Sequence, residues 1–182
     1  MKYNIGEIDN KFYQKTKKET IEQLKEKHKE TSVKLGLLKI LSYKNIYEGR
    51  TSIAQDLKQV YDYIIGWQSK GGIKDILDDI CKLVWHNPFI QNQSYKEAIQ
   101  WQKWRATRLG FMIQVAYDKL KVENGGKLTA NELARLSGMT KSTISLYCRN
   151  GNIKANKKSR EWIINNKVAK EYINQKKQVK IK

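Results

Sequence analysis

Apolar residues in this chain recur at helical rather than strand spacing over most of its length. Between Ser52 and Gly66, the residues Ile53, Leu57, Val60, Tyr61 and Ile64 stand at i, i+4, i+7, i+8 and i+11, which lays them on one face of an amphipathic helix. Gly66 and the pair Gly71-Gly72 punctuate its end. A second stripe follows in Ile73, Ile76, Leu77, Ile80 and Val84 and stops before Pro88. Two such stripes joined by a short glycine-bearing link predict a helical hairpin that buries them against each other.

Upstream, Thr16 and Glu19 have the spacing of a capping box and predict a helix from Thr16 onward. Its apolar stripe is thin, Ile21, Leu24 and then His28, as in an exposed arm or a narrow seam against a partner helix. Val33, Leu37, Ile40 and Leu41 continue the helical pattern, with Gly36 its weak point. Downstream, Ser94 and Glu97 repeat the capping-box spacing and open a long helix towards Lys121. This helix buries Ala98, Trp101, Trp104, Leu109, Met112, Val115, Ala116 and Leu120, and carries Gly110 in its middle at a cost of about 1 kcal/mol against alanine. Asn124-Gly125-Gly126 then breaks the chain. The predicted organisation is a charged helical arm over 1–32, a helical domain for a partner or for dimerisation over 33–124, and a small domain over 128–182.

In the last segment the periodicity shortens. Thr129 is placed to cap a helix running to Leu136, with Glu132 reaching back to it. Ser137-Gly138-Met139 makes a tight turn in which Gly138 supplies a left-handed backbone. Thr140 caps the next helix, Lys141 to Arg149. Leu133, Ala134, Met139, Ile144 and Tyr147 converge on one small core, which leaves Lys141, Ser142, Ser145 and Arg149 outward on a face without an acid. Such a face suits a DNA major groove, where side chains reach base edges and neighbouring phosphates.

The run Leu128-Thr129-x-x-Glu132-Leu133-Ala134-x-Leu136-x-Gly138-Met139-Thr140-x-Ser142-Thr143-Ile144-x-x-Tyr147, followed by Arg149-Asn150-Gly151-Asn152-Ile153, resembles the winged helix-turn-helix of the excisionase and MerR-like families. One departure is Ser137, where those families usually have leucine. The resemblance implies a β-hairpin wing after the helix pair. Ile153-Lys154-Ala155 would pair with Glu161-Trp162-Ile163 across Asn156 to Arg160, Trp162 would cover the core, and a closing helix would be capped by Asn165 or Asn166. The implied fold class is mainly α, an N-terminal helical domain followed by a small winged helix-turn-helix domain. The implied DNA contacts are Thr140, Lys141, Ser142, Thr143, Ser145 and Arg149 on the second helix, with Lys154, Lys157, Lys158 and Arg160 along the wing.

Charge strengthens this picture. The chain carries a formal +18, and residues 128–182 hold 13 basic and 3 acidic side chains, so ten of the eighteen net charges lie in the last 55 residues. A localised excess of this kind implies an anionic partner. Double-stranded DNA is the expected one. A single small module reads few base pairs, so useful specificity calls for a homodimer or a second DNA contact.

Other chemistries find weaker support. Trp101 and Trp104 interleave with Lys103, Arg105 and Arg108 as a stacking surface for single strands would, but helical spacing favours core tryptophans flanked by solvated cations. Asp75, Asp78 and Asp79 have the spacing of an ordinary helix surface as well as of a metal cluster. His28 and His86 lack metal-ligand spacing, Cys81 sits beside apolar residues as a core thiol would, and Cys148 has no nearby histidine to activate it. With no phosphate-binding loop or nucleophile motif, the expectation is a non-enzyme with no cofactor and no metal. No apolar run reaches the ~18 residues that span a bilayer. The expected setting is the cytoplasm of a bacterial host, with no membrane partner. The leading expectation is therefore a phage or mobile-element transcription regulator or excisionase-like protein. The alternative is an anti-CRISPR type of inhibitor, since basic proteins joining one helix-turn-helix to an unrelated helical domain are similar to some of these. Its partner would be a CRISPR effector, with the helix-turn-helix serving DNA binding or autoregulation.

Overall fold

The computed structural model describes residues 3–34, 52–66, 72–85 and 102–179. The continuation through Leu37, Ile40 and Leu41, the cap at Ser94 and Glu97, and the positions of Trp67, His86, Pro88, Ala98 and Trp101 lie outside the described residues, as do the side chains of His28, Val84 and Trp85. Among the described residues the chain is mainly helical with one small three-stranded sheet. In order, the elements are α1 (Asn10–Lys34), α2 (Ser52–Ile65), α3 (Ile73–Trp85), α4 (Arg108–Glu123), β1 (Leu128–Thr129), α5 (Ala130–Ser137), α6 (Lys141–Arg149), β2 (Ala155–Lys158), β3 (Glu161–Ile164) and α7 (Asn166–Val179), with a short 3-10 turn at Ile5–Glu7. No helix among the described residues is long and apolar enough to cross a membrane. Two compact units result, Ile8–Met112 on one hand and Met1–Glu7 with Ile113–Lys182 on the other.

In the unit Ile8–Met112, α2 and α3 pack on each other through the expected stripes, with Ile53, Leu57, Val60, Ile73, Leu77 and Ile80 buried. The first helix differs from expectation. It starts at Asn10 rather than Thr16, because the Asp9 carboxylate accepts the Phe12 amide at 2.7 Å and caps it. Thr16 and Thr20 are thereby interior and buried, and each hydroxyl donates to the carbonyl one turn back at 2.8 Å. Glu19 pairs with Arg108 instead of capping. The buried side of α1 is Phe12, Tyr13, Thr16 and Thr20, while Ile21 and Leu24 are only half-buried. Aromatic packing decides this: Phe12 meets Phe111 edge-on at 6.5 Å, and Tyr13 stacks on Tyr61 at 4.8 Å.

The single long helix expected up to Lys121 is interrupted. The chain turns at Ala106 and Thr107 and restarts as α4. The Thr107 hydroxyl oxygen accepts the Gly110 amide at 3.1 Å and donates to Trp104 O at 2.6 Å. A Cβ at residue 110 would lie 2.1 Å from that same Trp104 oxygen, so glycine is what lets the two segments meet. Its weak helix propensity is secondary to that close approach.

In the second unit the sheet has the order β1-β3-β2 and is antiparallel throughout. Leu128 lies opposite Ile164 on one edge and Ala155 opposite the same residue on the other. The hairpin is tighter than the sequence suggests. Pairing runs from Ala155 with Ile164 to Lys158 with Glu161, leaving Ser159 and Arg160 as the turn, and Ile153 precedes the strand. Asn156, Lys157 and Lys158 look like loop residues, but they pair with β3 along one edge while their side chains stay in water. Ser159 takes φ +56 at the first turn position, as two-residue hairpin turns require. β1 was not expected, being too short to display an alternating pattern.

Leu128, Leu133, Ala134, Ile144, Ile153, Ile164 and Ala169 form the core of this unit. Met139 and Tyr147, expected within it, sit half-buried at its margin, and Cys148 is buried in their stead. Asn165 rather than Asn166 caps α7, since the Asn165 carbonyl accepts the Ala169 amide at 2.9 Å and its side chain accepts the Asn166 amide. The Asn166 side chain donates to Val122 O.

That contact is one of several binding the end of α4 to this unit, so the division falls inside α4 rather than at Asn124–Gly126. Asp118 accepts two hydrogen bonds from Arg135, at 2.6 and 3.1 Å, and both side chains are buried. Lys121 donates to both Glu132 carboxylate oxygens, at 2.8 and 3.0 Å. Burial pushes the Asp118 carboxyl up to about 6, against the pull of the Arg135 guanidinium. Desolvation thus outweighs attraction, and a buried pair of this kind stabilises little while its rupture costs much.

Asp118→Ala is expected to lower unfolding free energy by about 3–5 kcal/mol, because it strands a buried guanidinium. The double replacement Asp118→Leu with Arg135→Met is expected to recover most or all of that loss. Urea denaturation of the two variants checks both statements. Equal destabilisation of the single and double variants is the contrary result.

Candidate nucleic-acid interface

The geometry that presents α6 begins two elements earlier. Thr129 ends β1 in an extended conformation, φ −79 and ψ 162, and its hydroxyl oxygen accepts the Glu132 amide at 3.3 Å. Glu132 returns the bond by accepting the Thr129 amide at 2.7 Å, so the capping box read from the sequence is closed. Burial raises the Glu132 carboxyl, but the hydrogen bonds from Lys121 and Thr129 outweigh it and hold the group below its usual range.

At the other end of α5, Gly138 adopts φ 71 and ψ 23, and both its amide and that of Met139 donate to Ala134 O. This left-handed residue ends one helix and aims the next. The Gly138 carbonyl accepts from Asn4 Nδ2 at 2.6 Å, and Asn4 Oδ1 accepts the Gly6 amide at 2.9 Å. The segment Tyr3–Glu7 is thereby clasped to the turn, and it frames a hollow with Asn131, Arg135 and Lys141. The Tyr172 hydroxyl donates to Met139 Sδ at 2.8 Å.

Thr140 caps α6, its hydroxyl oxygen accepting the Thr143 amide at 3.2 Å and lying 3.0 Å from the Ser142 and 2.8 Å from the Thr143 hydroxyls. Ile144 and Cys148 face the core. Of the residues expected to contact a ligand, Thr140, Lys141, Ser142 and Arg149 are exposed, Ser145 is half-buried on the same side, and Thr143 is half-buried and engaged with the cap. Lys154, Lys157, Lys158 and Arg160 are all exposed, the first just before β2 and the others on the hairpin. Lys157 lies 5.8 Å from the ring centre of Trp162, its cross-strand partner, which restrains a flexible side chain. Lys158 stands opposite Glu161, the acid nearest this array in the ladder. The Ile153 amide donates to Tyr147 O at 3.2 Å and fixes where the hairpin departs from α6.

Two participants escape the sequence reading. Leu146 is 46% exposed, on the same side of α6 as Ser142, Ser145 and Arg149. Its signal was present, since it stands four residues after Ser142 and three before Arg149. Asn4 gave none: it reaches Gly138 across 134 positions of sequence. Cys148 is a core thiol whose pKa is raised by burial.

Gly138→Ala is expected to destabilise the chain by at least about 1 kcal/mol, since alanine is strained at positive φ. Its Cβ would also approach Asn4 Oδ1 to 2.6 Å. Asn4→Ala in the same chain relieves the second penalty but also removes the hydrogen bond to the Gly138 carbonyl, so the double variant is expected to lose less stability than the two single variants summed. Thermal melting followed by circular dichroism reads both.

Comparison with protein-family models, with curated proteins and with solved structures finds no match to this chain.

Proposed function

We propose that the unit built on Ile113–Lys182 is a winged helix-turn-helix and that the protein is a non-enzymatic regulator binding duplex DNA, of the kind carried by phages and mobile elements. The observation that carries the reading is the order of elements around one acid-free helix. A strand, two helices at a left-handed turn and a β-hairpin follow one another, the strand and hairpin form one sheet of order β1-β3-β2, and the outer side of the second helix holds Lys141, Ser142, Ser145 and Arg149. In this reading α6 enters the major groove, where hydroxyl and guanidinium donors meet base edges. The hairpin cations Lys157, Lys158 and Arg160 lie on phosphates, with Lys154 beside them. The net charge of the last 55 residues, from 13 basic and 3 acidic side chains, supports a polyanionic ligand.

The test is a fluorescence-anisotropy titration of the full chain with a labelled duplex at several salt concentrations. If about four phosphates are engaged, affinity should fall roughly a hundredfold between 50 and 200 mM salt. Lys157→Ala with Lys158→Ala should weaken all duplexes alike and reduce the salt slope by about 2, whereas Ser142→Ala and Ser145→Ala should change the preferred sequence. A flat salt dependence, or no binding in dilute buffer, would falsify the reading.

A further inference from the structure

Leu146 is the feature of α6 that hydrogen bonding and charge leave unexplained. A leucine that is nearly half exposed on a nine-residue helix gains little for the fold, and the inner side of that helix is already occupied by Ile144 and Cys148. Leu146 is also isolated. Its neighbours on the same side are Ser142, Ser145 and Arg149, and Lys141 lies one turn further back. A protein groove that takes an amphipathic helix meets a row of apolar anchors at i, i+3, i+4 and i+7, and no such row exists here. What this surface complements is a polyanion that offers one small apolar group among polar ones.

We propose that Leu146 contacts the C5-methyl group of a thymine in the major groove and so sets the sequence preference of α6. The inference rests on the duplex-binding reading given above. Among the groups that the four bases display in that groove, the thymine methyl alone is apolar, and the rest are hydrogen-bond donors and acceptors. Ser142 one turn before and Arg149 one turn after Leu146 supply polar partners for adjacent base edges or phosphates. The same argument disfavours duplex RNA, whose deep, narrow major groove excludes a helix and whose uracil lacks the methyl.

The experiment uses the full chain and a duplex library with a randomised core. Wild type, Leu146→Ala and Leu146→Met are each carried through selection, and the wild-type consensus duplex is remade with deoxyuridine in place of each thymine in turn. At one thymine of the consensus the loss of the methyl is expected to weaken wild type about fourfold, the worth of one buried methyl-sized group. Leu146→Ala should lose about the same factor on the thymine duplex and nothing further on the deoxyuridine duplex, while Leu146→Met keeps most of the discrimination. An exposed side chain can be truncated without harm to the fold, so unchanged melting temperatures are expected for both variants, and a melting temperature lowered in both would overturn the proposal by making Leu146 a packing residue. Indifference of wild type to every deoxyuridine, or equal sensitivity in Leu146→Ala, also overturns it, even where salt-dependent duplex binding persists. Loss of a self-associated state in Leu146→Ala with unchanged methyl discrimination would assign the residue to contact between copies instead. Failure of wild type to bind any duplex in dilute buffer is a separate outcome, and it removes the duplex-binding reading itself.

Discussion

A helix can present one face to a ligand only if something fixes its angle, and in the C-terminal unit that something is the backbone at Gly138. Its φ of 71 lets two successive amides, its own and that of Met139, close on the Ala134 carbonyl. The chain leaves α5 in a direction that residues with a Cβ seldom take. Everything downstream inherits this direction. Thr140 restarts the helix, Ile144 and Cys148 turn inward beneath it, and Lys141, Ser142, Leu146 and Arg149 are left outward. The turn is held by two contacts, the Asn4 side chain on the Gly138 carbonyl and the Tyr172 hydroxyl on Met139.

Around this turn the unit separates its polar groups by task. Glu132 and Lys121, and Asp118 with Arg135, are charges used to fasten α4 to α5, and they are wholly or partly withdrawn from water. The cations of α6 and the hairpin are left exposed on elements whose apolar sides are already satisfied. A core of small volume, built on Leu128, Leu133, Ile144, Ile153 and Ile164, can therefore carry the cations of α6 and the hairpin without burying them. Self-repulsion among so many cations destabilises a small unit, and a bound polyanion relieves it. The proposed function and the charge distribution are in this sense one physical statement.

The unit Ile8–Met112 follows a different logic. Its interior relies on aromatic contacts between segments far apart in sequence, Phe12 with Phe111 and Tyr13 with Tyr61. These bring the first turns of α1 inside and leave Glu22, Gln23, Lys25 and Glu26 at the surface. The joint at Thr107 and Gly110 allows the chain to enter α4 at the angle those contacts require.

What could be read from the sequence was whatever depends on neighbours a few positions away. Thr129 with Glu132, Gly138, Thr140 and the stripes of α2 and α3 all act within one or two helical turns, so their spacing sufficed. The face of α6 was legible for the same reason, although Leu146 was passed over because an apolar residue is expected to find a core. The tertiary structure alone decided the rest. The start of α1 at Asn10, the third strand at Leu128 and Thr129, the clasp of Asn4 on Gly138 and the capture of the end of α4 by Arg135 and Glu132 each join residues that local pattern cannot relate. Short-range periodicity determines which elements form and which faces they offer. Burial of aromatic rings, completion of backbone ladders and pairing of desolvated charges determine which faces meet, and those depend on distance in space rather than along the chain.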